Sequence, residues 1–200
     1  MAARHMKRAG IFALIFLAAG AAAAAAAGTH LSAPTAARCG GSTWKLKTFS
    51  DVQRRQVDVK AQSTTLHDIL QRRGPGRAVD RRRTPFQLHA WGVYAQITKY
   101  KLDANGSVRL VLYDHNSYMN AVIPSPTCLS SKTRARAAIE AAWRLFVTKC
   151  GRPDPNWQAF GGVLYVSGIG FWTDKVDLRG TAPNGAELHP VTGLQVVVGC

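Results

Sequence analysis

The sequence predicts a mainly β fold: a five-stranded barrel with one amphipathic helix between its third and fourth strands, preceded by an N-terminal extension. Three observations carry this. Residues 86–123 read as three strands, the first two joined by the tight-turn dipeptide Asn105-Gly106. Residues 131–149 place Ile139, Ala142, Trp143 and Phe146 at helical spacing, opposite Arg134, Arg136, Glu140 and Arg144. Residues 162–172 and 187–198 then read as two more strands. Three strands, a helix and two strands is the chain order of an OB-like barrel, a scaffold that by itself fixes no function.

From the N-terminus, residues 1–28 have the composition of a secretory signal peptide. Arg4, Lys7 and Arg8 form a basic start, residues 11–27 carry no charge, and the alanine run at 21–27 offers small residues to a signal peptidase. The rival is an uncleaved anchor, since residues 9–28 match the length of a short membrane span; alanine is only weakly apolar, which favours cleavage. The expected location is secreted or periplasmic. Cys39, Cys128, Cys150 and Cys200 all lie beyond the signal, and an even count in an exported chain reads as two disulfides, with three pairings open. No C-x-x-C pair or Cys/His cluster has metal-ligand spacing, so neither metal nor cofactor is expected.

The extension, residues 29–84, begins with a polar lead-in. Trp44, Leu46 and Thr48 alternate with Lys45 and Lys47, which predicts a short strand after Cys39. Residues 65–72 read as a short helix capped by Thr64 or Thr65, with Leu66, Ile69 and Leu70 inward, ended by Gly74-Pro75-Gly76. A basic loop at 72–84 follows. The barrel occupies residues 85–200. In its first strand Phe86, Leu88 and Ala90 share one parity and Trp91, Val93, Ala95 and Ile97 the other, predicting a β-bulge beside Gly92. The second strand covers 108–113 and the third 118–123, stopped by Pro124. Ser131 or Thr133 is the expected helix cap, and Gly151 and Pro153 the stop. Gly193 is the expected bulge of the last strand. The predicted core is Leu88, Val93, Ile97, Leu110, Leu112, Ile123, Ile139, Trp143, Phe146, Val166, Leu194 and Val196.

From Cys39 to Val198 the chain resembles a family of uncharacterised exported bacterial proteins with an OB-like domain. The resemblance rests on Cys39-Gly40 with Trp44-Lys45-Leu46-Lys47-Thr48, on the strand from Ala95 to Leu102, on Ile123-Pro124-Ser125-Pro126-Thr127-Cys128, and on Val166-Ser167-Gly168-Ile169-Gly170-Phe171. Its most specific element is Ala182-Pro183-Asn184-Gly185-Ala186-Glu187-Leu188-His189-Pro190-Val191. It implies an exported domain without an established activity. It also implies the pairing Cys39–Cys128, leaving Cys150–Cys200 as an addition in this chain. The family's Asp and His after the fourth strand are only half matched here, because the stretch from Phe171 to Asp177 has no His.

The charge narrows the function classes. Lys and Arg outnumber Asp and Glu by 26 to 11, a formal net charge of +15; loss of Arg4, Lys7 and Arg8 with the signal leaves +12. Such an excess attracts a polyanion, either nucleic acid or an anionic envelope polymer. Basic residues interleaved with aromatics mark the candidate binding face: Lys99, Lys101, Arg109, Tyr113 and Tyr118, fringed by Arg81, Arg82 and Arg83. The leading expectation is therefore non-enzymatic binding of an anionic or oligomeric ligand. The alternative is a metal-dependent hydrolase, a phosphodiesterase. On a strand Glu187 and His189 face the same way, and Asp174 and Asp177 lie upstream, so acid-base chemistry has one candidate locus. Against it stands a structural role, with Glu187 paired to a nearby cation. The third class is a structural interaction module of the cell envelope.

Overall fold

The computed structural model describes residues 39–174 and 178–200. The predicted signal peptide lies outside them, as does Asp177. The elements in chain order are α1 (Trp44–Lys47), β1 (Asp58–Ser63), α2 (Leu66–Leu70), β2 (His89–Leu102), β3 (Val108–Asp114), β4 (Ser117–Ile123), α3 (Arg136–Leu145), β5 (Gln158–Ala159), β6 (Val163–Trp172) and β7 (Ala186–Val198). Strands β2, β3, β4, β7 and β6 pair in that order, and β6 pairs back onto β2, which closes an OB-like barrel. All these pairings are antiparallel except β4 with β7.

Strand period and helix period meet in one core. Val93, Ala95 and Ile97 of β2, Leu110 and Leu112 of β3, Met119, Ala121 and Ile123 of β4, and Leu164 and Val166 of β6 point inward. Ala142 and Phe146 enter the same cluster from α3 and from the π-helical turn Phe146–Cys150 that extends it. Leu88, Trp143 and Leu194 are only partly buried, so these three sit at the margin of the core. Val196 is half-buried as well.

Several elements differ from the sequence expectation. Residues 44–47 form a helical turn, not a strand. Leu46 and Phe49, three residues apart, are both buried, and the Thr48 N–H donates to the Trp44 carbonyl at 2.9 Å. Residues 85–88 form a 3-10 turn, so the first barrel strand starts at His89. The parity change around Gly92 arises because both faces of β2 are covered there. Val93 faces the barrel core while Ala90 faces a second cluster with Phe49, Val57 and Ile169. Gly92 itself is required by a close approach, since a Cβ would collide with the Tyr165 hydroxyl. The irregularity of β2 against β3 falls between Ile97 and Lys99 instead. Neither Ser131 nor Thr133 caps α3. The N-cap is Ala135, in left-handed backbone at φ 58°, because the preceding Arg134 is committed elsewhere. Its N–H donates to the Phe49 carbonyl and its Nη1 to the carbonyls of Arg54 and Val57, at 2.5 and 2.9 Å.

The extension is thus built onto the barrel. β1 adds in parallel to the start of β2. Phe49 lies between the guanidinium groups of Arg82 and Arg134, at 5.2 and 5.6 Å. The disulfides are Cys39–Cys128, tying the extension to the segment after β4, and Cys150–Cys200, tying the end of the α3 extension to the C-terminus. Replacing Cys150 and Cys200 by Ala should lower stability by about 2–4 kcal/mol in chemical denaturation, through the added entropy of the unfolded chain.

Candidate functional site

Register places the candidate residues. Lys99 of β2 lies opposite Val111 of β3, which lies opposite Asn120 of β4, which lies opposite Glu187 of β7. Lys101, Arg109 and Val122 form the next row, and Gln96, Tyr113 and Tyr118 the row on the other side. These side chains share the outer face of one half of the barrel, the face of the second and third strands that OB folds use for ligands.

This face has a dry part and an open part. In the dry part the Arg109 guanidinium bonds the Asp103 and Glu187 carboxylates, each at 2.9 Å. The Glu187 carboxylate also meets His189 Nδ1 at 2.6 Å, and Glu187 and His189 are each 1 % exposed. Burial opposes ionisation of Glu187, but the Arg109 charge and the His189 hydrogen bond outweigh it and hold the carboxyl down at about 2. For His189 burial is the largest influence and lowers its pKa. The Glu187 hydrogen bond and charge oppose it, Lys47 and Arg109 add to it, and the imidazole is left at about 4. Near neutral pH the ring is therefore neutral. With an ionised carboxylate on Nδ1, that nitrogen carries the proton and donates, leaving Nε2 as a buried acceptor without a hydrogen-bond partner. An orphan lone pair fits that apolar setting better than the orphan N–H of an imidazolium. The Phe171 ring packs edge-on to His189 at 5.7 Å, and Lys47 of α1 lies over Phe171.

The open part lies over β3 and β4. Loop residues 178–181 lie against it and form a cleft of about 440 Å³ lined by Thr98, Lys99, Val111, Tyr118, Arg179, Gly180 and Thr181. Gly180, at φ 76°, is needed there, since a Cβ would meet Asn120 Oδ1 and Val111 Cγ1, both at 2.7 Å. Tyr118 is 44 % exposed and its ring packs on Tyr113 at 4.7 Å. Lys99 and Arg179 have no carboxylate partner among the described residues.

Of the residues singled out in the sequence, Lys99 and Tyr118 meet in this cleft, with Tyr113 behind Tyr118. Lys101 and Arg109 share the face, but their charges are used internally. Lys101 pairs with Asp103 at 3.5 Å and sits over the Trp157 ring, and Arg109 closes the dry network. Arg82 is not a loop cation open to ligand. It is 4 % exposed, pairs with Asp51 at 2.7 Å and donates to the Gln87 carbonyl. Arg81 and Arg83 are exposed and flank Asp80, each at 3.7 Å. Arg83 lines a separate cleft of about 610 Å³ with Arg77, Asp80 and Asp174. Asp174 does not converge on Glu187, because its carboxylate accepts the Ala78 N–H at 2.8 Å. Arg179 and Thr181 escaped sequence reasoning. They stand in an irregular loop, and only the barrel geometry, in which the connection between the last two strands flanks the face, identifies them.

No described helix is long and apolar enough to cross a membrane. The two disulfides are compatible with an oxidising compartment outside the cytoplasm. No family model matches the chain, and no curated relative matches it. Among solved structures the chain is similar to a crystal structure described as an aspartyl-tRNA synthetase from Leishmania major Friedlin, with a TM-score of 0.42 and 13 % identity over 70 % of this chain. The match covers 21 % of that protein, so the chain spans about a fifth of its length, and a likeness at this level carries no argument about function.

Proposed function

We propose that this protein is a non-enzymatic binder of a linear polyanion outside the cytoplasm, with single-stranded nucleic acid as the ligand. The observation that carries the reading is the pair of uncompensated cations, Lys99 and Arg179, beside the Tyr113–Tyr118 aromatic pair in the cleft over β3 and β4. Cations hold the backbone phosphates and a partly exposed tyrosine offers a stacking surface, the two components of sequence-tolerant single-strand binding. The net positive charge adds long-range attraction. The hydrolase alternative is weaker, because Glu187 and His189 are buried and the carboxylate is already engaged by Arg109.

A fluorescent single-stranded oligonucleotide tests this. Binding should weaken steeply with salt. Lys99→Gln with Arg179→Gln should reduce the salt slope by roughly 2 units, one for each lost phosphate contact. Tyr118→Ala should cost about 1–3 kcal/mol of affinity. Arg81→Gln with Arg83→Gln should change little. Absence of salt-sensitive binding would reject the reading and leave the structural envelope module. Cleavage of the oligonucleotide, lost in Glu187→Gln, would move the protein to the hydrolase class.

A further inference from the structure

We infer that the extension and the segment after β4 form a second site, a groove for a phosphorylated ligand whose ring stacks on Trp44. The groove, about 460 Å³, is walled on the extension side by Trp44, Lys45, Thr48, Ser50, Val52 and Arg54, and on the barrel side by Cys128, Ser130 and Lys132. It shares no lining residue with the cleft over β3 and β4. It is independent of the nucleic-acid reading.

Three features point to the ligand class. First, Lys45, Arg54 and Lys132 put three cations around one groove, with no carboxylate in its lining and no carboxylate partner for any of them among the described residues. The larger cleft at Arg77 and Arg83 contains Asp80 and Asp174, which offset its charge. Second, hydroxyls stand among the cations: Thr48 Oγ1, which donates to the Trp44 carbonyl, Ser50 Oγ within 3.0 Å of it, and Ser130 Oγ, which accepts the Lys132 N–H. Third, Trp44 is only half-buried, so part of its ring faces the groove and can take a planar group. Cations for phosphate, hydroxyls for its oxygens and a ring for stacking describe a nucleotide-like ligand better than a bare anion.

The walls are fixed before any ligand arrives. Arg54 Nη1 donates to the Asp51 carbonyl at 2.9 Å, and the Asp51 carboxylate is held by Arg82. The Arg54 carbonyl is held by Arg134 from the far side. The Cys39–Cys128 disulfide ties the extension to the barrel wall at the groove itself. Such a site binds without paying to order its walls.

The test titrates the purified protein with ATP, and with tripolyphosphate as the ring-free comparison, following amide and indole N–H shifts by NMR. ATP should move the Trp44 indole signal and the amides of Ser130 and Lys132. Lys45→Gln with Lys132→Gln should weaken ATP binding by about tenfold at low salt, whereas the charge-matched surface pair Arg144→Gln with Lys149→Gln should leave it within about twofold. Trp44→Leu should weaken ATP by at least about fivefold and leave tripolyphosphate unchanged. Lys99→Gln with Arg179→Gln should leave the Trp44 shifts intact, whether or not the oligonucleotide still binds. The inference is overturned if ATP moves no groove signal, if the two charge-matched pairs lose affinity equally, or if ATP binding disappears with the barrel-face pair.

Discussion

Arg109→Met should lower the unfolding free energy by about 3–5 kcal/mol, although Arg109 looks in the sequence like one more cation on a basic strand. Its guanidinium is 13 % exposed and bridges the carboxylates of Asp103 and Glu187. Removing it strands the Glu187 charge in a site 1 % exposed, with His189 as its remaining hydrogen-bond partner, and an unpaired buried charge is among the costliest defects a fold can carry. Pairing the change with Glu187→Gln should recover part of the loss, since the stranded charge is then gone. The same network shapes the acid limb of stability. The imidazole of His189 titrates near 4 in the fold instead of the ordinary 6.5, so the unfolded chain binds more protons between these values. This contribution is complete above 6.5 and is lost as the pH falls toward 4. The carboxyl of Glu187, held near 2 by Arg109 and His189, contributes stability above its ordinary 4.5 that is lost as the pH falls through 2. Urea denaturation between pH 7.5 and 4 should therefore show falling stability, on the order of a few kcal/mol. In His189→Gln that segment should be flatter. A pH-independent wild type would contradict the network.

Arg82→Gln should also be severe, costing about 3–5 kcal/mol, while Arg81→Gln and Arg83→Gln should each stay within about 0.5 kcal/mol. The three arginines are consecutive, but Arg81 and Arg83 are exposed and share one loose partner, Asp80. Arg82 alone turns inward, where it bonds both Asp51 oxygens and the Gln87 carbonyl and stacks over Phe49. Its loss would free Asp51 and loosen the 49–57 segment from the barrel. Equal effects at all three positions in thermal or chemical denaturation would show that the extension is not anchored there.

The barrel was legible because its strands repeat every two residues, its main helix carries apolar groups at helical spacing, and Asn105-Gly106 marks a turn. Glu187 and His189 were legible as neighbours for the same reason, being two apart on one strand. Their cationic partner was not. Arg109 is 78 residues from Glu187 and reaches it only because β3 pairs with β4 and β4 with β7. The extension was misread at residues 44–48 because a four-residue helix and a short strand produce similar alternation, and the arbiter, burial of Leu46 and Phe49 against the barrel, lies outside the segment. The amino-acid sequence by itself determined the strand and helix order, the positive charge and the cysteine count. These follow from composition and from periodicity among near neighbours along the chain. Only the tertiary structure decided which cations are spent and which are open. Arg82, Lys101 and Arg109 are compensated by carboxylates, whereas Lys99 and Arg179 are not. Ion pairing and burial depend on which surfaces meet after the barrel closes, and residues distant in sequence carry no local signal of that meeting.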